Sequence, residues 1–369
     1  MKLIKGFNCL GPTHKMFFIS TFISSVFTIY LLFDFVPEIF YGVLVSSTTL
    51  ILCYIFLTKF AAYPKKWPIG EIFLLILTFI TVFHLPSHFI ASSRITYRKE
   101  LKDDQLIKID NFLLGWLFKD GQLSLYLDTN QFLGPHTTFG RFINNSLQIF
   151  YFFYYIIPYV TMHFINLANC GKEIIFRYQN NGLRSPSHRR RWNNTLFLFG
   201  VYLLTCVFIF FVNTLVPASS PRKHLQDKFI HPLDLSGFAK YLNKKCKDNK
   251  SANSFPSGHV GEVLSIGLSY LGMKNNLIGI IIIIFSILIG LATLFLRYHY
   301  FCDILMAAFL SFLSFLINYY CGYKKYLNVL EKEKQTISTD ISIDNNVPDS
   351  KGHVKLTEEI DNKIKNEKI

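Results

Sequence analysis

The chain has 369 residues, of which 51% are hydrophobic and 17% aromatic, with 38 Phe and 20 Tyr and a formal net charge of +14. One soluble core could not bury that much apolar surface. Composition therefore excludes a soluble globular domain and predicts an all-α polytopic membrane protein.

A helix needs about 20 mostly apolar residues to cross the hydrocarbon layer. Eight stretches meet that need, near 16–36, 40–58, 71–91, 146–168, 195–217, 259–275, 277–296 and 302–321. The first follows Lys2, Lys5 and Lys15, is too long for a cleaved signal and has no small-residue cleavage site after it, so it is expected to remain as a span. The expected organisation is N-terminal transmembrane helices over 1–91 and a lumenal amphipathic segment over 92–145. A transmembrane core carrying the candidate chemistry follows over 146–322, then a disordered cytosolic tail over 323–369.

Cytosolic loops of membrane proteins are enriched in Lys and Arg. Lys2, Lys5 and Lys15, then Lys59, Lys65 and Lys66, then the loop from Lys172 to Arg191 all fall on one side when eight spans alternate, together with Lys274 and the tail from Lys324. Both termini are then cytosolic, and the loops 92–145, 218–258 and 297–301 share the opposite, lumenal face. The run Arg184–Arg191 touches anionic lipid in this reading and not nucleic acid, because its neighbours are spans. Within 92–145, the stretch from Ile107 to Leu117 alternates amphipathically and predicts short helices along the interface. The loop 218–258 breaks the charge rule with eight Lys and Arg against three Asp. Either long loops translocate regardless of charge, or this one receives an anionic head group.

Three glycosylation sequons occur, and this topology puts Asn249 in the lumen, Asn144 against a span and Asn193 in the cytosol. The seven Cys have neither disulfide-framework nor zinc spacing, and no cofactor-binding motif is present in the sequence.

Two segments at span borders carry the chemistry: Ser254-Phe255-Pro256-Ser257-Gly258-His259 and Arg297-Tyr298-His299-Tyr300-Phe301-Cys302-Asp303. Ionisable groups beside a bilayer are costly, so such a cluster points to function, although single interfacial histidines are ordinary. His299 and Asp303, four apart, would share one face of a helix. A carboxylate on one ring nitrogen leaves the other nitrogen's lone pair free to attack phosphorus, which makes His299 the candidate nucleophile. His259 is the candidate acid and base that protonates a leaving alkoxide and then deprotonates the acceptor. Ser257 suits a helix cap, Gly258 lets backbone approach a ligand, and free amides at that helix start would bind phosphoryl oxygens. Arg297 and Arg222 would neutralise phosphoryl charge, with Lys223 a weaker candidate. Arg297 has an alternative reading as an interfacial snorkel. Glu262, one turn past His259, would contact His259, a polar acceptor or a neighbouring helix.

These residues resemble the type 2 phosphatidic acid phosphatase superfamily, which carries Pro-Ser-x-His and a later His followed four residues on by Asp. Here those are Pro256-Ser257-Gly258-His259 and His299 with Asp303. Arg297-Tyr298-His299-Tyr300, the stretch from Ile109 to Gly115, and Pro217-Ala218-Ser219-Ser220-Pro221-Arg222 are similar to the branch of inositol-phosphoryl-ceramide and sphingomyelin synthases. The Lys-x6-Arg-Pro stretch of the phosphatases is missing, and Ala292 and Thr293 stand where they have Ser-Arg. The resemblance, over about 105–321, implies a six-helix catalytic core and metal-independent double displacement through phospho-histidine at His299. It also implies a lumenal Golgi or ER site.

The expected function is transfer of a phosphoryl-alcohol head group, phosphoinositol, from a phospholipid donor to a ceramide-like acceptor. A lipid phosphate phosphatase is the alternative, because the covalent step is shared and only the acceptor differs. A metal-dependent alcohol phosphotransferase would need an array of carboxylates in the spans, which the sequence lacks. A channel would spread polar groups through span interiors, whereas here they collect at one border.

Overall fold

A computed structural model describes residues 2–32, 39–60, 76, 100–118, 122–158, 160–162, 186–247 and 254–344. All but residue 76 of the expected span at 71–91, the end of that at 146–168, the basic residues Lys65, Lys66, Lys172, Arg177 and Arg184, the Asn249 sequon and the tail beyond 344 lie outside the described residues. The described residues are helical, with no strand among them. In chain order the helices are α1 Lys2–Asn8, α2 Pro12–Leu32, α3 Ile39–Ile55, α4 Asp103–Leu114, α5 Leu123–Thr129, α6 Thr138–Pro158 and α7 Pro186–Leu215. After these come the single turn α8 Pro221–His224, α9 Gly237–Lys247, α10 Gly258–Gly272, α11 Asn276–Phe295, α12 Phe301–Asn318 and α13 Lys324–Asp344.

Among the described residues three stretches are long and apolar enough to cross a membrane: Arg190–Leu215, Asn276–Phe295 and Phe301–Lys332. They coincide with the expected spans at 195–217, 277–296 and 302–321. Helices α2, α3, α6 and α10 overlap four more of the expected eight.

Helix α10 sits at the centre, packed against α6, α7, α11 and α12. Small residues let its neighbours approach, as in membrane helix packing generally. A Cβ on Gly261 would stand 2.5 Å from Ile209 Cδ1 of α7, and one on Gly267 would stand 2.7 Å from Ile283 Cγ1 of α11. Serine hydroxyls then bridge the helices: Ser311 donates to the Gly261 carbonyl at 2.8 Å and Ser286 to that of Val260 at 3.1 Å. Val260, Val263 and Ile266 of α10 join Phe197, Val201 and Phe210 of α7 in the main apolar core.

Two boundaries differ from expectation. Helix α6 begins at Thr138, inside the segment expected to be lumenal to 145, because the Thr137 hydroxyl accepts from the Gly140 amide at 2.9 Å and caps it. The tail expected to be disordered from 323 is helical to Asp344. Its first turns bury Tyr323 and Tyr326 and pack Leu327 and Leu330 on the core, and apolar contact of that kind holds a helix that its charged composition alone would not.

Candidate active site

The end of α7, the start of α10, the end of α11 and the start of α12 meet at one end of the bundle, and both histidine segments lie there. His259 is the second residue of α10. His299 stands just outside α12, whose N-cap is Tyr300. The two imidazoles meet with His259 Nδ1 3.3 Å from His299 Nε2. His299 Nδ1 is 3.0 Å from Asp303 Oδ2. Contact between His299 and Asp303 is therefore made, but not along a shared helix face as the spacing predicts. Asp303 reaches back from the first turn of α12 to accept from the Tyr300 amide at 3.0 Å, and His299 curls over that cap.

The carboxylate is fully buried. Asp303 Oδ2 also accepts from the Ser254 hydroxyl at 2.7 Å, and that hydroxyl lies 3.2 Å from His299 Nδ1. A buried anion with three donors on one oxygen is well satisfied, and it holds the proton of His299 on Nδ1. Nε2 then carries the lone pair, facing His259.

The backbone that aims His299 is a Schellman turn at the end of α11. The Tyr298 amide donates to the Thr293 carbonyl at 2.8 Å and the Arg297 amide to that of Leu294 at 3.1 Å. Glycine is usual at the left-handed position of this turn, yet Arg297 occupies it with φ of 64°. Its guanidinium compensates. Arg297 Nη2 donates to Asp128 Oδ1 at 2.8 Å and to the His231 carbonyl at 2.9 Å, and the group lies 3.9 Å from the centre of the Phe229 ring.

Residues 186–317 match the family model of the PAP2 superfamily.

The matched stretch contains both histidine segments and supports the superfamily. A PA-phosphatase related-family protein of Dictyostelium discoideum is 31% identical over 239 residues, which are 60% of this chain and 41% of that protein. The chain thus spans about two fifths of the length of the curated relative that it matches. No solved structure matches the chain. The chain thus joins likeness to PAP2 proteins with helices long and apolar enough to cross a membrane.

The remaining predicted residues divide into those at the histidines and those beside them. Ser257 is the N-cap of α10 and its amide donates to the Asp303 carbonyl at 3.1 Å, which ties the two histidine segments together. Its hydroxyl makes no cap bond, contrary to expectation. It is buried without a hydrogen-bond partner among the described residues, because Ser257 is already anchored through its backbone. Gly258 leaves open the space where a Cβ would stand 3.3 Å from Glu262 Oε1.

Arg222 donates to Asn243 Oδ1 at 2.7 Å, and its guanidinium lies over the Tyr298 ring at 5.6 Å. Arg297, expected to face a phosphoryl group, is buried in an ion pair with Asp128. Burial pulls its pKa down to about 10, opposed by Asp128, so it stays charged at neutral pH. Glu262 accepts from the Tyr154 and Tyr202 hydroxyls at 3.2 and 3.3 Å rather than from His259.

Several residues at the site carry no signal in the sequence. The Tyr151 hydroxyl lies 2.7 Å from His259 Nε2, and the Tyr151 ring stacks on that of Tyr298. The Tyr154 ring packs on His259 at 4.3 Å between centres. Both tyrosines sit in the run Phe150–Tyr155, which as text is one more aromatic stretch of a span. Asp128 is a single carboxylate on a short helix, identifiable only once Arg297 is seen to reach it.

Proposed function

We propose that this protein is an eight-span membrane lipid phosphotransferase, moving phosphoinositol from a glycerophospholipid to a ceramide-like alcohol through a phospho-histidine at His299. One observation carries the reading: a carboxylate-held histidine, His299, points its free nitrogen at a second histidine 3.3 Å away, at the border of apolar helices.

The chemistry follows from the roles. The Nε2 lone pair of His299 attacks phosphorus as the bond to the diacylglycerol oxygen breaks. His259, as imidazolium, gives its Nδ1 proton to that oxygen and becomes neutral, with Tyr151 contacting its other nitrogen. The acceptor hydroxyl then gives its proton to His259 and attacks phosphorus, and the bond from phosphorus to Nε2 breaks to restore His299. Arg222, the buried Ser257 hydroxyl and the first amides of α10 at Gly258 are the groups we assign to the phosphoryl oxygens. Arg297 we assign to holding the loop and not the substrate. Charge bias along the chain supports a lumenal site in Golgi or ER membranes with cytosolic termini.

A second reading, lipid phosphate phosphatase, is favoured by the likeness to a PA-phosphatase related-family protein. Water then takes the acceptor's place. The two readings are separated by incubating membranes that contain the protein with fluorescent ceramide and phosphatidylinositol, and in parallel with phosphatidate. Labelled inositol-phosphoryl-ceramide together with released diacylglycerol supports the transferase. Inorganic phosphate from phosphatidate without a ceramide product replaces it with the phosphatase, and no product in either arm rejects both.

A further inference from the structure

Helix α4 makes contacts that the reaction alone does not explain. Asp103 and Asp110 are seven positions apart, so they lie on one face two turns apart, with Leu106 and Leu114 on the same side, and all four are buried. Asp110 accepts from the Phe301 and Cys302 amides at 3.0 and 2.8 Å. Those are the first two amides of α12, which no carbonyl of their own helix reaches, and a negative charge there also suits the helix dipole. Asp103 accepts from the Tyr300 hydroxyl at 2.9 Å and from the Ser219 amide and hydroxyl at 3.0 Å each. The helix that carries Asp303, and that begins two residues after His299, is thus capped by a segment almost two hundred positions away in the chain.

On the opposite face Gln105 and Lys108 are exposed in the first half of α4, and from Ile109 through the turn after the helix exposed apolar side chains take over. Phe112 is 85% exposed and Trp116 81%, with Ile109 and Leu117 beside them. The start of α4 is fixed in depth, because the Lys102 amide donates to the Pro217 carbonyl at 2.8 Å, two residues past the end of the span at Leu215. Its inner face meets the start of the span at Phe301. A helix at the level where two spans end, with Phe and Trp turned outward, lies where hydrocarbon gives way to head groups, the preferred depth of Trp and of amphipathic helices.

We propose that α4 is a membrane-seated clamp. Asp103 and Asp110 are positioning residues that hold the His299–Asp303 segment, and Ile109, Phe112 and Trp116 seat the clamp in the bilayer interface, so that the lipid surface sets the geometry of the reactive histidine. The catalytic part of this inference rests on the proposed role of His299; the clamp and its seat are read from contacts alone.

The test uses the full chain in lipid nanodiscs. In a Trp67→Phe/Trp192→Phe background, brominated phosphatidylcholine is expected to quench Trp116 fluorescence, and unquenched emission overturns the seat. In Asp110→Asn, hydrogen exchange of the peptide covering 300–304 is expected to quicken about 5–30-fold, the range that corresponds to loss of a helix cap. Turnover on the lipids above should show a lowered kcat with KM unchanged, partly restored in Asp110→Glu. Phe112→Ser/Trp116→Ser, which touches none of the clamped groups, should lower kcat in the same way. Wild-type exchange and kcat in Asp110→Asn overturn the clamp, and unchanged kcat in the Phe112/Trp116 variant overturns its coupling to the membrane. If the wild type turns over none of the lipids, the proposed function fails, while exchange and quenching still decide the clamp.

Discussion

The Tyr151 hydroxyl lies 2.7 Å from His259 Nε2, on the side of the ring away from His299. His259 is thereby held at both nitrogens, and its Nδ1 has one direction in which to exchange a proton. Tyr151→Phe removes the hydroxyl that contacts His259 Nε2 and leaves the ring stacked on Tyr298. A net loss of about 0.5–1.5 kcal/mol, a few-fold to roughly tenfold in kcat, is expected with KM unchanged. Steady-state turnover in membranes checks this, and a change in KM alone would place Tyr151 in lipid binding instead.

His299→Ala should abolish head-group transfer, and His259→Ala should come close to doing so, while both proteins remain inserted in the membrane. Asp303→Asn leaves the shape of the site but replaces the carboxylate that holds the His299 proton on Nδ1 with a neutral amide, so a loss of roughly 10²–10⁴-fold is expected, the usual worth of a positioned acid or base. Product formation, with membrane extraction as the insertion control, measures all three. Turnover like that of the wild type in any of them would reject the assigned roles.

Turnover should survive exhaustive treatment with a divalent-cation chelator, because His299 supplies the nucleophile and His259 the proton, with cationic Arg222 and helix amides for the phosphoryl charge. Activity lost on chelation and recovered with added Mg²⁺ or Zn²⁺ would contradict a double displacement carried by these side chains alone.

Legibility in the sequence followed from how local each signal is. Long apolar runs announce helices, because length and composition suffice, and α7, α11 and α12 fall where those runs lie. The pairing of His299 with Asp303 is signalled by a spacing of four, but the spacing misplaces His299 on the helix, since capping by Asp303 is a matter of backbone direction that residue identity does not reveal. Composition misled where tertiary contact decided the outcome. Lys324–Asp344 has the composition of a disordered tail, and the burial of Tyr323 and Tyr326 against the core makes its first turns helix. Contacts between distant segments left no trace in the text. Asp128 meets Arg297 across 169 positions, and nothing in a lone Asp on a seven-residue helix marks it as a partner.

That distant pair yields the most discriminating test of how the site is held. Arg297→Met leaves Asp128 buried and charged without its cation, which is expected to destabilise the protein by about 3–5 kcal/mol. Asp128 still accepts from the Ile230 and His231 amides at 2.6 and 3.2 Å, so Asp128→Asn should be milder in the absence of the arginine than in its presence. A double-mutant cycle on thermal unfolding in nanodiscs should return a coupling of about 1–3 kcal/mol, and strict additivity would show that the pair contributes nothing of its own. Arg297→Gly then separates charge from backbone. Glycine accepts a φ of 64° without the roughly 1–2 kcal/mol that other residues incur there, so that variant gains in the turn what it loses less than fully in the pair. It should therefore be more stable than Arg297→Met yet less stable than the wild type. If Arg297→Gly equals or exceeds the wild type, the turn alone aims His299 and the ion pair is incidental to it.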